Sequence, residues 1–212
     1  MDGNPRILLL GDYSNCHRAL ATGLRRLGCD VTVMSNGSMW QNCERDIDIS
    51  RRPGKFGGLQ LYLKAKYQLH KHLRGYDIVS IHDPNFMSLR PQRLRPLFDR
   101  LVRENGAVFL NAMSTDRYYL EMCADPAGPL RYSEWFVGTE PSRHHLANTD
   151  NWQAWHTKEI SDYHKYVYSK LDGAVAVLYE YYLGLGYGLP PEKIAYGGIP
   201  IDTSALEPVD LA

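Results

Sequence analysis

The sequence predicts an α/β fold with a Rossmann-like, doubly wound and mostly parallel sheet in a single domain. Short, continuous apolar runs, typical of strands buried on both faces, alternate with segments in which apolar residues recur at helical spacing. Such a succession of strands and helices requires a mostly parallel sheet with helices on both faces. The 212 residues suffice for one sizeable domain and are too few for two of ordinary size.

The first βαβ unit is the clearest part of the pattern. An apolar run over 6–10 predicts a strand, and three leucines then recur at helical spacing. Ser14 or Asn15 can cap this helix, and Gly28 stands where a glycine ends one. A second strand is predicted over 31–34, parallel to the first because the crossover is short.

The remaining elements follow in chain order up to the last strand. The predictions are a short strand over 46–49, a helix over 59–73 with Leu59, Leu63 and Tyr67 along one side, a strand over 76–82, a helix over 94–104, a strand over 107–110, a helix over 157–171, a strand over 173–177, a helix from 180 to 184 or beyond, and a strand over 193–196.

Residues 115–155 interrupt this order. They contain prolines, glycines and many aromatic residues without a clean period, which fits either an ordered insertion or a mobile excursion. We therefore expect one Rossmann-like domain over 1–200 that contains this aromatic-rich insertion, with 201–212 as the start of an interdomain linker.

Composition limits the classes of partner and the compartment. The 24 basic and 24 acidic residues cancel, so we expect no nucleic-acid partner. The four cysteines lack metal-site or redox spacing, and no signal peptide or membrane span is visible, as in a cytoplasmic protein. Association with the inner face of a membrane stays open. His144, His145 and His156 lack matched acidic or cysteine partners, so no metal site is predicted.

Parallel sheets bind ligands at the carboxyl ends of their strands, so the residues after each strand are the candidate site. The first loop consists of Gly11, Asp12, Tyr13, Ser14 and Asn15. It stands at a helix N-terminus, where free N–H groups favour an anion, but it lacks a dinucleotide or P-loop fingerprint. Either a phosphate or sugar contact or an ordinary capped turn is consistent with it.

The segment after the strand over 76–82 is the sharpest local signal. His82 and Asp83 follow directly, and a histidine there has the pKa range for acid–base work. The alternative is a histidine that is merely hydrogen-bonded at the edge of the sheet.

Three segments, KIAYGGIPID over 193–202, DIVSIH over 77–82 and LDGAVAV over 171–177, resemble motifs of the N-terminal domain of GT-B glycosyltransferases of family 4. The sequence over 193–202, KIAYGGIPID, is similar to the hinge segment that these enzymes write as KI-x-VI-P-N-G-ID. Residues 77–82, DIVSIH, match in part their D-x-x-H-x-H motif, with Ser80 in place of the first histidine. Residues 171–177, LDGAVAV, resemble their AD-x-V-I-x-V-S strand.

The resemblance implies an acceptor-binding half of a hexosyltransferase that moves a sugar from a nucleotide-sugar donor to a sugar or lipid-linked acceptor. It implies that a C-terminal donor-binding domain is missing from this chain, that the chain alone is inactive, and that the enzyme needs neither cofactor nor metal ion. The alternative is a non-catalytic Rossmann-like module that pairs with a separate donor-binding chain. Self-association of the isolated domain stays open.

The resemblance also assigns site residues. His82 and Asp116 are the candidate catalytic residues, and Met113 occupies the place of a histidine that many family members carry. Aromatic residues of the insertion either form a wall for the acceptor or only bury area beneath a long loop. The expected substrate-binding residues are Gly11, Asp12, Tyr13, Ser14, Asn15, Asp83, Asn111, Ser114, Arg117, Glu180 and Gly198.

Overall fold

The structure is a computed structural model that describes residues 3–38 and 41–203. Its nine strands within these ranges are β1 (Arg6–Leu10), β2 (Asp30–Ser35), β3 (Ile47–Asp48), β4 (Ile78–Ile81), β5 (Ala107–Ala112), β6 (Phe136–Val137), β7 (Glu140–Pro141), β8 (Gly173–Ala176) and β9 (Ile194–Tyr196).

Eight α-helices lie between these strands. They are α1 (Cys16–Arg26), α2 (Gly57–Leu63), α3 (Pro91–Glu104), α4 (Arg117–Ala124), α5 (Arg143–Ala147), α6 (Thr149–Trp155), α7 (Lys158–Tyr168) and α8 (Tyr179–Leu185). A π-helical segment, Lys64–Gln68, and a 3₁₀ helix, His70–Leu73, follow α2, and a second 3₁₀ helix, Pro191–Lys193, precedes β9.

The main sheet has seven parallel strands in the order β3-β2-β1-β4-β5-β8-β9. The chain winds outward from β1 to β3 and then returns to place β4 on the other side of β1. The predicted α/β class with a Rossmann-like parallel sheet is confirmed. The winding direction reverses between β1 and β4, which is where open parallel sheets form their ligand crevices.

Alternate residues of β1 enter different cores, as the period of a strand requires. Leu8 and Leu10 belong to the larger core, which also holds buried residues of α3 and α7. Ile7 and Leu9 face the other side of the sheet, where they pack with Ala21 of α1. The strand is thus buried on both faces, which explains its continuous apolar run.

The helix predicted over 59–73 is the clearest departure. Leu59, Leu63 and Tyr67, which were expected along one side, are exposed. The buried residues are spaced by four throughout: Leu61, Ala65, Leu69 and Leu73. A regular α-helix of 3.6 residues per turn would rotate such a row away from the core, whereas a π-helical turn holds more residues and keeps the row in line.

The insertion after β5 is ordered. It contains α4, the antiparallel β6–β7 hairpin, α5 and α6. Buried Trp135 packs with residues of α4 and with the half-buried Trp152 and Trp155 of α6. The insertion therefore has an apolar cluster of its own. Of the predicted linker, residues 204–212 lie outside the described residues.

None of the helices among the described residues is both long and apolar enough to span a membrane.

Candidate functional site

A cleft of about 730 Å³ opens at the carboxyl ends of the strands. Gly11 and Tyr13 after β1, and His82 and Asp83 after β4, line one side. The insertion lines another, with Trp155 at the end of α6. The volume lies in the range of small-molecule sites. The cleft thus coincides with the reversal point of the sheet and brings together several of the predicted residues.

The ring of His82 lies against Gly11. A Cβ on Gly11 would stand 1.8 Å from His82 Nδ1, and Gly11 has a φ of 80° that favours glycine. His82 Nδ1 is buried without a hydrogen-bond partner among the described residues. Burial lowers the pKa of His82 to about 4, so the imidazole is neutral at pH 7. Since Nδ1 is buried and His82 as a whole is only half-buried, a ligand would contact this ring from the Nε2 side.

A second histidine, His17 of α1, supports this loop from beneath. Its Nδ1–H donates to the Gly11 carbonyl at 2.6 Å, which leaves Nε2 to accept from the Ser80 hydroxyl at 3.4 Å. His17 is fully buried, and burial lowers its pKa to about 3. The sequence alone did not predict the contact between His17 and Ser80, which lie 63 positions apart.

The Asp12 side chain caps the N-terminus of α1. Its carboxylate accepts from the backbone N–H of His17 at 3.0 Å and from that of Arg18 at 3.4 Å. Asp12 is buried, and burial raises its pKa. Since this carboxylate occupies the helix N-terminus, the structure favours the capped turn over a phosphate contact at this loop.

Ser14 and Asn15 stand beside this cap and do not line the cleft. Both have left-handed backbone, with φ of 52° and 66°. The Ser14 N–H donates to Ser38 Oγ at 2.7 Å. Asn15 is the residue before α1, but its side chain makes no capping bond, and its Oδ1 is buried without a partner among the described residues. The predicted cap, Ser14 or Asn15, is therefore wrong: the side chain that caps α1 is Asp12.

Asp83 is held in the floor of the cleft. Its carboxylate accepts from the Ser114 hydroxyl at 2.6 Å and from the Asn85 N–H at 2.5 Å. Burial raises the pKa of Asp83. The Asn85 amide in turn pairs with Nε2 of buried His164 at 2.9 Å. Asp83 and Ser114, both predicted substrate-binding residues, thus form one hydrogen-bonded unit that also lines the cleft.

Asp116 lies away from the cleft. Its Oδ1 accepts from the Tyr119 N–H at 2.9 Å and caps α4, and its Oδ2 accepts from the hydroxyl of buried Tyr168. Burial raises the pKa of Asp116 to about 6. Asp116 is not among the residues that line the cleft, so the structure gives this candidate catalytic residue a capping position rather than one facing a ligand.

The other predicted residues are dispersed. Buried Asn111 in β5 has no partner for Oδ1 among the described residues. Arg117 donates to Ser161 Oγ at 2.5 Å, pairs with a glutamate one turn along α4 and lines a separate cavity. Glu180 is exposed at the start of α8, and Gly198 lies beyond β9. None of these four is among the residues that line the cleft.

Met113, which the resemblance aligns with a histidine, is buried in a small apolar cluster. It is 2% exposed and packs with Cys16 and Val177. A methionine there supplies no proton acceptor, so any acid–base role in the cleft falls to other side chains.

The insertion gives the cleft an aromatic and amide wall. Trp135, Trp155, Asn148 and Asn151 line it together with Glu134. The ring centroids of Trp135 and Trp152 are 5.1 Å apart, so the aromatic residues also hold the insertion together. Trp152 therefore packs within the insertion, whereas Trp155 lines the cleft.

Two arginines on the other side of the cleft were missed. Arg51 follows β3 and Arg90 precedes α3, and both line the cleft. Their separation along the chain hides the pairing, because each arginine alone has the pattern of a solvated surface residue.

Within the described parts of the chain, no group of three or more His, Cys, Asp or Glu side chains could hold a metal ion. No protein-family model matches the chain, and no curated protein matches it.

Proposed function

We propose that this chain is the acceptor-binding half of a glycosyltransferase. In this proposal the cleft holds a sugar or lipid-linked acceptor, while a second domain holds the nucleotide-sugar donor. The observation that carries the proposal is the cleft itself, which lies at the reversal point of the sheet between a polar floor and a wall of tryptophan and asparagine side chains.

The lining suits a carbohydrate. Sugar rings expose hydroxyl groups, which pair with carboxylate, amide and hydroxyl side chains, and apolar C–H faces, which stack on aromatic rings. Asp83, Ser114 and Asn148 supply the first kind of group, and Trp155 supplies the second. Because Asp83 and Ser114 are already fixed by their mutual hydrogen bond, the floor is ordered before a ligand arrives.

The α1 N-terminus supports an acceptor role rather than a donor role. A nucleotide-sugar carries a diphosphate, which Rossmann-like domains commonly bind at the first helix N-terminus. Here the Asp12 carboxylate takes the N–H groups of His17 and Arg18. A diphosphate at that position would meet a buried negative group, so the donor has to be held elsewhere.

His82 is the group best placed to contact the reacting hydroxyl of an acceptor. Its imidazole lines the cleft and is neutral at pH 7 because burial lowers its pKa. A neutral Nε2 can accept a hydrogen bond from a sugar hydroxyl and orient it. A histidine whose pKa is about 4 is a weak base, so we assign it orientation of the hydroxyl ahead of proton removal.

A second candidate function is a non-catalytic binding module that pairs with a separate donor-binding chain. Two observations favour it: Met113 is buried where the family has a histidine, and both oxygens of Asp116 are engaged within the protein. His82 distinguishes the two candidate functions. A binding module needs this histidine only for ligand affinity, whereas an enzyme also needs it to orient the reacting hydroxyl.

The proposal is tested by titrating the ¹⁵N-labelled chain with a panel of neutral oligosaccharides and following amide shifts. We expect perturbed amides around His82, Asp83 and Trp155, and no sugar transfer when a nucleotide sugar is added to the chain alone. If no oligosaccharide of the panel changes the chemical shifts of these amides, the acceptor proposal is wrong. Transfer by the chain alone would contradict the division of labour between two domains.

A further inference from the structure

We propose that the acceptor carries a phosphate group, and that Arg51 and Arg90 bind it at the β3 side of the cleft. This inference rests on the proposed function and names the substrate class: a phosphate ester of a sugar. Arg51, Arg90 and Ser88 all line the cleft, and Arg51 and Ser88 also line an adjoining hollow.

The arginines here lack carboxylate partners. Arg51, Arg52, Arg90 and Arg93 make no ion pair within the described ranges 3–38 and 41–203. The nearest acid along the chain, Asp48, is engaged by Arg45 and by the Ser50 hydroxyl. The chain has no net charge as a whole, so this segment is a local excess of positive charge. Unpaired guanidinium groups in a concave surface are suited to an anion.

Two of these guanidinium groups approach the same glycine. Arg93 Nη1 and Arg51 Cζ would be 3.4 Å and 3.6 Å from a Cβ on Gly58. Like charges gathered near one point raise the local positive potential, which favours an anion. Two planar guanidinium groups match the oxygens of a phosphate, which carries up to two negative charges at neutral pH.

The double-arginine segment is built into the fold. A Cβ on Gly57 would stand 1.8 Å from the Arg52 carbonyl oxygen, so only glycine lets this segment lie against the start of α2. Arg51 and Arg52 also line an adjoining groove with Lys64, and a further hollow is lined by both arginines and Ser88. Arg51 thus stands where these concavities meet.

The arginines and the aromatic residues lie on different sides of the cleft. Arg51 follows β3, at one edge of the sheet, whereas Glu134, Trp135 and Trp155 belong to the insertion after β5. A ligand with a sugar ring against the insertion and a phosphate towards β3 meets complementary groups at both ends. A neutral sugar leaves the arginine side unused.

The test is calorimetric titration of the full chain with glucose 6-phosphate, glucose and inorganic phosphate. We expect glucose 6-phosphate to bind at least about tenfold more tightly than either of the others, because charge-assisted hydrogen bonds and ring contacts add. Arg51→Gln and Arg90→Gln should each weaken glucose 6-phosphate about tenfold and leave glucose unchanged. Arg51→Lys should fall between, because it keeps the charge and loses the two-pronged contact.

The matched control is Arg74→Gln, since Arg74 is an exposed arginine at the opposite end of the strands, before β4. It should leave all three affinities unchanged. Glucose binding as tightly as its phosphate would overturn the inference and leave the proposed function standing. Binding of neither sugar would overturn both. Inorganic phosphate binding as tightly as the sugar phosphate, or an unchanged affinity in Arg51→Gln and Arg90→Gln, would also overturn the inference.

A second arm identifies the source of the phosphate. Phosphatidylcholine vesicles and equimolar phosphatidylcholine–phosphatidylinositol vesicles are sedimented with the chain and with Arg51→Gln. Co-sedimentation with the second vesicles alone, lost in the variant, identifies a lipid headgroup as the phosphate ester. Binding of glucose 6-phosphate without co-sedimentation identifies a free sugar phosphate. Co-sedimentation that persists in Arg51→Gln counts against the arginine site.

Discussion

The imidazole of His82 occupies the space that a side chain on Gly11 would need. The two residues follow neighbouring strands, β1 and β4, and a Cβ on Gly11 would be 1.8 Å from His82 Nδ1. The conformation of the first loop and the position of the His82 ring therefore depend on each other.

Gly11→Ala should displace His82 and destabilise the fold. The variant adds a clash with the imidazole to the strain of a left-handed alanine, so we expect a loss of roughly 3 kcal/mol in the free energy of unfolding. Gly138→Ala is the matched control: Gly138 has φ of 63° but open space around it, so only about 1 kcal/mol should be lost. Urea denaturation measures both, and equal losses would show that the His82 contact contributes nothing.

The strands of this protein could be predicted because β1, β4 and β5 are buried on both faces and their apolar runs are continuous. The rule that ligands bind at strand ends predicts Gly11, His82, Asp83 and Ser114, and all four line the cleft. The buried face of the segment after residue 57 could not be predicted from helical spacing. Its buried residues recur every four positions, which fits a π-helical turn, whereas a regular α-helix would bury a different set of residues.

The rest of the site depends on contacts between distant parts of the chain. Arg51 and Arg90 are 39 positions apart, and each alone has the sequence signature of a solvated residue. For Asp12, sequence allows a capping carboxylate and a ligand contact equally, and only the 3.0 Å distance to the His17 N–H distinguishes them.

Asp12→Ala should cost stability and not ligand affinity. Removal of a helix cap leaves two N–H groups unpaired, so we expect a loss of about 1–2 kcal/mol in the free energy of unfolding. Asn15→Gly is the comparison, because Asn15 has left-handed backbone and makes no capping bond. It should be neutral or slightly stabilising. Thermal unfolding with and without ligand measures stability and ligand affinity in both variants. An affinity that falls in Asp12→Ala and not in Asn15→Gly would show that Asp12 contacts the ligand.

Stability should fall as the pH is lowered from about 6.5 towards 4. Burial lowers the pKa of His17 to about 3, of His82 to about 4 and of His164 to about 3. In this window the unfolded chain binds more protons than the folded one, so each histidine removes roughly 1.4 kcal/mol of stability per pH unit. Asp116, Asp12 and Asp83 have the opposite sign, because burial raises their pKa, so they offset part of the loss due to the histidines.

The measurement is the free energy of unfolding in urea across this pH range. His17→Asn, which can keep a donor towards the Gly11 carbonyl, should show a shallower decline than the unaltered chain, and Asp116→Asn a steeper one. A decline in His17→Asn as steep as that of the unaltered chain would contradict the buried, neutral state of His17.

Trp155 and Trp152 separate binding from packing. Trp155 lines the cleft, whereas Trp152 packs on Trp135 behind it. We expect Trp155→Ala to weaken oligosaccharide binding at least about tenfold, since a lost stacking face in a sugar site costs more than 1 kcal/mol. Trp152→Phe should lower the melting temperature and leave the affinity close to its original value. Affinities that fall equally in both variants would indicate that the wall acts only as a packed unit.

The wall of the cleft has a thermodynamic consequence for ligand binding. Every residue of α5 and α6 is described, and none is buried, whereas the central strand β1 is paired on both sides and has Leu8 and Leu10 fully buried. Amide hydrogens in the two helices should exchange through local openings that leave the sheet intact. Part of the ligand's intrinsic affinity then goes into closing the wall, and a binding event at Trp155 becomes visible as slowed exchange several residues away, in α5.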